Sequence, residues 1–165
     1  MATISKKTNA ARYLDTLKIK YELVSYEVDE DDLSAVHVAD TIGVNPAEIF
    51  KTLVATDERG MPIVACIPSD GELDLKALAT AAGRKRCDML PVKELLATTG
   101  YIRGGCSPLG MKKRFATLVD ESIGCISKVY VSAGQRGLQL LLSPQDLIKA
   151  ADAKTAKLTR YKDKQ

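Results

Sequence analysis

The sequence predicts an α+β fold built on a largely antiparallel sheet or open barrel. Three observations carry that expectation. Apolar residues alternate at period two in several short runs, neighbouring runs mostly meet through short turns, and helical patterns fall between groups of strands. At 165 residues, 45% hydrophobic and 27% charged, the chain has the size and composition of one globular domain with a substantial core. We therefore expect a single domain over residues 1–165.

Lys7 to Leu17 reads as a helix, with Ala11, Leu14 and Leu17 along one stripe. Tyr21 to Val28 alternates as a strand, and the acidic run Asp29-Glu30-Asp31-Asp32 after it reads as a solvated loop. Val36 to Ile42 is a short helix stopped by Gly43, and Asn45-Pro46 supplies the cap and first position of another. Phe50 to Thr56 and Pro62 to Ile67 form a hairpin around Asp57-Glu58-Arg59-Gly60. Leu73 to Ala82 reads as a helix ending at Gly83, followed by the basic run Arg84-Lys85-Arg86. Cys87 to Leu90 is a short strand and Pro91 to Thr98 a helix opened by its proline. Then come a glycine-rich stretch, Gly100 to Gly110, and a second basic run ending Lys112-Lys113-Arg114. Thr117 to Val119, Lys128 to Ser132 and Leu138 to Leu142 read as strands, the last two joined through a turn containing Gly134 and Gly137. Ser143 and Pro144 start a final helix, and a lysine-rich tail runs from Lys149 to Gln165.

No apolar run reaches the length of a membrane span, and Met1 to Lys7 lacks the apolar core of a signal peptide. A cytoplasmic location without a membrane partner is expected. Cys66, Cys87, Cys106 and Cys125 are widely spaced with no C-x-x-C pair, which argues against a zinc site and leaves them as reduced thiols. Neither metal nor cofactor is expected. The net charge of +3 permits an anionic partner without requiring one.

The common signatures of enzymes are missing: there is no G-x-S-x-G elbow, Walker loop, dinucleotide fingerprint or recognisable carboxylate pair. His37 is the only histidine, hence the one possible imidazole partner for Cys106, and it reads as a surface residue. What remains is a cation, Lys51, a glycine pair, Gly104-Gly105, and a turn with Ser132 and Gly134. Lys51 reads either as a gatekeeper on an edge strand or as a functional charge. The glycine pair reads either as a plain turn or as a nest of N–H groups that holds an oxyanion. Together they suit a substrate already carrying a reactive carbonyl, such as an ester, which needs oriented donors, a nearby positive charge and a placed attacking group.

Phe50-Lys51-Thr52-Leu53-Val54, the stretch Gly100 to Gly110 and Val131-Ser132-Ala133-Gly134 resemble the YbaK/EbsC family of trans-editing proteins, relatives of the editing domain inserted in some prolyl-tRNA synthetases. Leu73-Asp74-Leu75-Lys76 and Leu142-Ser143-Pro144-Gln145-Asp146-Leu147 extend the resemblance, which runs from about Lys7 to Ala156. It implies a mixed, barrel-like sheet with flanking helices and a deacylase that removes cysteine from mischarged Cys-tRNA(Pro), with Cys-tRNA(Cys) a second candidate. By analogy Lys51 addresses the terminal nucleotide or carbonyl, Gly104 and Gly105 supply amides, and Tyr26, Thr52, Ser132 and Gly134 line the pocket. The family is thought to let the substrate's own thiol attack its carbonyl, which fits the missing nucleophile here. Such a step is a lyase reaction; direct attack by water would be a hydrolase.

The chain departs from the family pattern at Ser34, where some members have an aromatic residue, and at Gln139, where others have an aspartate. Alanine or another small amino acid stays open as the group removed. The partners implied are the acceptor end of an aminoacyl-tRNA and prolyl-tRNA synthetase, with the two basic runs and the tail lysines contacting phosphates. Two other readings stand beside the deacylase: a non-catalytic aminoacyl- or nucleotide-binding module on the same fold, and a hydrolase that depends on Cys106.

Overall fold

The computed structural model describes residues 7–161. Of the segment read for a signal, Met1 to Lys7, all but Lys7 lies outside them, as do tail residues 162–165. Helix α1 (Asn9–Thr16) starts at Thr8, whose hydroxyl accepts from the Ala11 N–H, and it buries Ala10, Ala11 and Leu14. Leu17, expected on the same stripe, is 41% exposed because the helix ends before it. Strand β1 (Glu22–Ser25) is half the expected length: after the Tyr26 N–H bonds the Gly137 carbonyl, the chain leaves the sheet for the acidic loop. Helix α2 (Ala35–Ile42) is capped by Ser34 and ends at Gly43 in the left-handed conformation. Asn45-Pro46 opens a single 3-10 turn, not a helix, because Ile49 is already extended.

Strands β2 (Phe50–Asp57) and β3 (Pro62–Pro68) form the expected hairpin, with Lys51 opposite Ile67. The two-residue strand β4 (Glu72–Leu73) takes the start of the expected helix, and α3 (Leu75–Ala82) begins after Asp74, whose carboxylate accepts from the Ala77 N–H. There follow β5 (Cys87–Met89), α4 (Leu95–Thr99), β6 (Ala116–Asp120), β7 (Val129–Gln135), β8 (Leu138–Leu142) and α5 (Pro144–Ala151).

Within the lysine-rich tail, the described residues form β9 (Lys154–Ala156) and β10 (Thr159–Arg160), which pair with β6 and β4. Between them Leu158 is fully buried and its N–H donates to Asp120 at 2.9 Å.

One sheet has the order β5-β2-β3-β6-β9, antiparallel through β3 and parallel beyond it, and a second, β1-β8-β7, is antiparallel. A parallel bridge between Ile49 and Tyr130 brings the start of β2 against β7, so the two sheets curl into a barrel-like whole. The architecture is thus α+β, with a mixed, largely antiparallel sheet and flanking helices. One core, with Leu14, Phe50, Leu140 and Leu147, lies under α1 and α5; another, with Ile63, Ile67, Leu78 and Leu158, lies under α3.

Candidate active site

Where β2, β7 and β8 face α2 and the glycine-rich stretch, a cavity of about 440 Å³ opens. Tyr26, Lys51, Thr52, Gly104 and Ser132 all line it, although they come from separate parts of the chain. Gly105 and Gly134 do not. Gly105 is buried, and a Cβ there would stand 3.0 Å from the Arg136 nitrogen and 3.1 Å from Gln135. Its N–H already donates to the Ile102 carbonyl at 3.0 Å. Gly134 lies at a bulge in β7, where a Cβ would fall 2.8 Å from the Tyr101 ring. These two glycines let the glycine-rich stretch press against the β7–β8 turn.

Lys51 is the second residue of β2, opposite Ile67 of β3; β5 pairs only with Ala55 to Asp57 farther along, and Lys51 itself lines the cavity. What tells against the gatekeeper reading is the side chain, which is not spread into solvent. The side chain is half-buried, and its Nζ donates to the Ser69 carbonyl at 3.1 Å. Ser69 is itself held, its hydroxyl donating to the Pro46 carbonyl at 2.6 Å and its N–H to Ile49 at 2.8 Å. Burial pulls the Lys51 pKa below its ordinary value, against the opposing charges of Asp70 and Glu72. Among the described residues, Arg103 is the other charged one on the wall, and no carboxylate lines it. A paired-carboxylate mechanism has nothing to work with here.

Ser132 and Gln139 face each other across β7 and β8. The Ser132 hydroxyl accepts from the Gly134 N–H at 3.1 Å. Gln139 is 5% exposed, lines the cavity, and its Oε1 has no hydrogen-bond partner among the described residues. A buried amide oxygen left unpaired costs about 1–3 kcal/mol, which a donor on a bound ligand would relieve. In the sequence Gln139 stands out only as a departure from a family pattern. A usable signal is nonetheless present: it is the one polar residue in a strand of leucines buried at every position.

Cys106 also lines the cavity, but burial pushes its thiol up to about 11, leaving it protonated at neutral pH. His37 is absent from the wall; its ring nitrogens face Asp29 at 3.6 Å and Asp32 at 3.7 Å. No Cys–His pair forms. Among the described residues there is also no cluster of three His, Cys, Asp or Glu placed to hold a metal. A larger groove of about 850 Å³, bordered by Asp15, Tyr21, Lys128 and Asp146, contains none of the candidate site residues Tyr26, Lys51, Thr52, Gly104, Gly105, Ser132 and Gly134.

Residues 29–150 match the model of an aminoacyl-tRNA editing domain. Over 154 residues the chain is 46% identical to a protein of Enterococcus faecalis provisionally named Cys-tRNA(Pro)/Cys-tRNA(Cys) deacylase EbsC, covering 93% of this chain and 94% of that one. The crystal structure of a hypothetical protein superposes with a TM-score of 0.84 at 24% identity, over 92% of this chain and 99% of the other. Another, described as a provisional trans-editing enzyme for prolyl-tRNA synthetase, gives 0.77 at 21% identity, over 94% and 99%. At those identities the two structures establish likeness of fold.

Proposed function

The chain belongs to the aminoacyl-tRNA editing domain family, and from that premise we propose that it is a trans-editing deacylase that cleaves the ester of mischarged Cys-tRNA(Pro). The observation that carries this reading is the make-up of the cavity wall. Among the described residues it offers one half-buried cation, an unpaired acceptor at Gln139 and the Gly104 backbone, with no carboxylate and no histidine. Such a wall stabilises charge on a carbonyl under attack without supplying a nucleophile or a proton-transfer pair.

In this reading Lys51, fixed by Ser69, places positive charge beside the ester or the terminal nucleotide. The Gly104 N–H donates to the developing oxyanion. Gln139 and Ser132 accept from the amino group of the aminoacyl moiety, while Tyr26 and Thr52 bound the pocket. The attacking group is the substrate's own thiol. Its sulfur forms a bond to the carbonyl carbon, the ester C–O bond breaks, and the proton lost by sulfur ends on the departing ribose hydroxyl. Water then opens the cyclic thioester to free cysteine. The whole chain acts as one editing domain, needs neither metal nor cofactor, and works where translation runs, in the cytoplasm. The acceptor end of the tRNA is its partner, with prolyl-tRNA synthetase supplying selection among tRNAs.

The test is deacylation of Cys-tRNA(Pro) by the native protein and by Lys51→Ala, with folding of the variant checked by circular dichroism. The reading requires rapid cleavage by the first and loss of at least about a hundredfold in the second. Tight binding of the charged tRNA without cleavage by the native protein would favour a binding module on the same fold.

A further inference from the structure

We propose that Arg136 is a positioning residue for this deacylation: by holding the Arg103 carbonyl, it aims the Gly104 N–H at the cavity. The inference rests on the deacylase reading above and adds to it a residue outside the cavity wall. Arg136 lies in the turn between β7 and β8 and does not line the cavity. Its Nε donates to the Arg103 carbonyl at 2.9 Å, and its other arm donates to Glu30 at 3.0 Å. One guanidinium therefore ties the acidic loop after β1 to the glycine-rich stretch, and residues of both, Leu33 and Gly104, form the wall.

The consequence for Gly104 follows from peptide geometry. The Arg103 carbonyl and the Gly104 N–H belong to one planar trans unit and point in opposite directions. Drawing the carbonyl onto Arg136 turns the N–H away from Arg136. Gly104 lines the cavity and its N–H donates to no described residue, whereas the next amide is used within the stretch. A charged donor on the carbonyl also polarises the peptide and strengthens its N–H as a donor.

Glycine is needed for this arrangement. Gly104 has φ +85°, and a Cβ would stand 3.2 Å from the Arg136 Nε and 3.5 Å from the Leu33 Cβ, in the space through which the guanidinium approaches. Glu30 meanwhile neutralises the far end of Arg136 and fixes its direction. That is the arrangement of a strut, not of a free cation awaiting phosphate.

The test compares native protein, Arg136→Gln and Arg136→Lys in steady-state deacylation of Cys-tRNA(Pro), alongside the Gly104 amide resonance in 15N-glycine-labelled protein and the melting temperature. Arg136→Gln is expected to lower kcat about tenfold or more with little change in KM, and to move the Gly104 resonance. Arg136→Lys, whose ammonium reaches the same carbonyl, recovers part of both. Native kcat in Arg136→Gln overturns the inference. So does a loss that tracks the melting temperature and vanishes on cooling, the mark of a purely structural residue. If the native protein cleaves no Cys-tRNA(Pro), the deacylase reading fails first; an unmoved Gly104 resonance then overturns the strut as well.

Discussion

Lys51 and Gln139 both hold positions that a core would fill with apolar side chains, and each has a measurable cost. Because burial lowers the Lys51 pKa, its charge is lost at a lower pH than that of a free lysine. Deacylation that depends on the cation should decline as pH rises through that lowered pKa. The alkaline decline should disappear in Lys51→Arg, whose guanidinium stays charged, leaving reduced activity that no longer falls as pH rises. The linkage has the opposite sign: between the folded and unfolded pKa values the unfolded chain binds more protons, so this group makes stability rise with pH. Gln139→Leu removes an unpaired buried acceptor and should stabilise the fold by about 1 kcal/mol or leave it unchanged, while raising KM severalfold. Thermal unfolding and steady-state kinetics on the same sample check both halves. Cys106→Ala should stay within a few-fold of native turnover, since a thiol held near 11 is not an attacking group. At this scale Lys51 and Ser132 stand out in the sequence by residue type, whereas Thr52 is indicated only by the family resemblance. That resemblance left Gln139 as a mere departure, because only the closed cavity reveals that its amide oxygen has no partner.

At the scale of elements, most helices and the β2–β3 hairpin could be read from caps, stops and alternation. Ser34 and Gly43 bound α2 for local reasons, and local reasons are what a sequence displays. The glycine-rich stretch and the tail were harder, since their shape depends on distant partners. Gly105 and Gly134 read as ligand-facing and turned out to be contact points between the stretch and the β7–β8 turn. The tail carries few apolar residues, yet Leu158 anchors it. Leu158→Ala should cost about 2–5 kcal/mol by chemical denaturation, which would mark β9 and β10 as part of the folded unit. Asp120, which receives the Leu158 N–H, offers a second check. Burial alone would raise its pKa, but the N–H groups of Leu158 and Ser122 outweigh that and hold it below the usual carboxylate range. Its contribution is present above about pH 4 and is lost as the pH falls through the lowered pKa, so Asp120→Asn should flatten the acid limb of stability.

At the scale of the molecule, the Ile49–Tyr130 bridge joins the two sheets beside the cavity, and no local pattern announces such a long-range pairing. The basic runs also changed meaning on folding. Arg84 pairs with the buried Asp57 at 3.2 Å, Arg86 with Asp88 at 3.1 Å, and Arg114 donates to the Tyr13 hydroxyl. Lys112 and Lys113 remain exposed just beyond the glycine-rich stretch, with Lys112 beside Gly100. Replacing both with glutamate should weaken tRNA binding and flatten its salt dependence, the logarithmic slope falling by about 0.9 for each duplex phosphate no longer neutralised. Cleavage of a minimal cysteinyl-adenosine substrate should be largely spared, because neither lysine lines the cavity.

The most direct test of the central claim is the rate of release of labelled cysteine from Cys-tRNA(Pro), measured beside the same tRNA carrying S-methylcysteine. Thiol-assisted editing predicts rapid release of cysteine and an inert methylated substrate, because the methyl group removes the attacking sulfur. Equal release from both would contradict it and assign the attack to water.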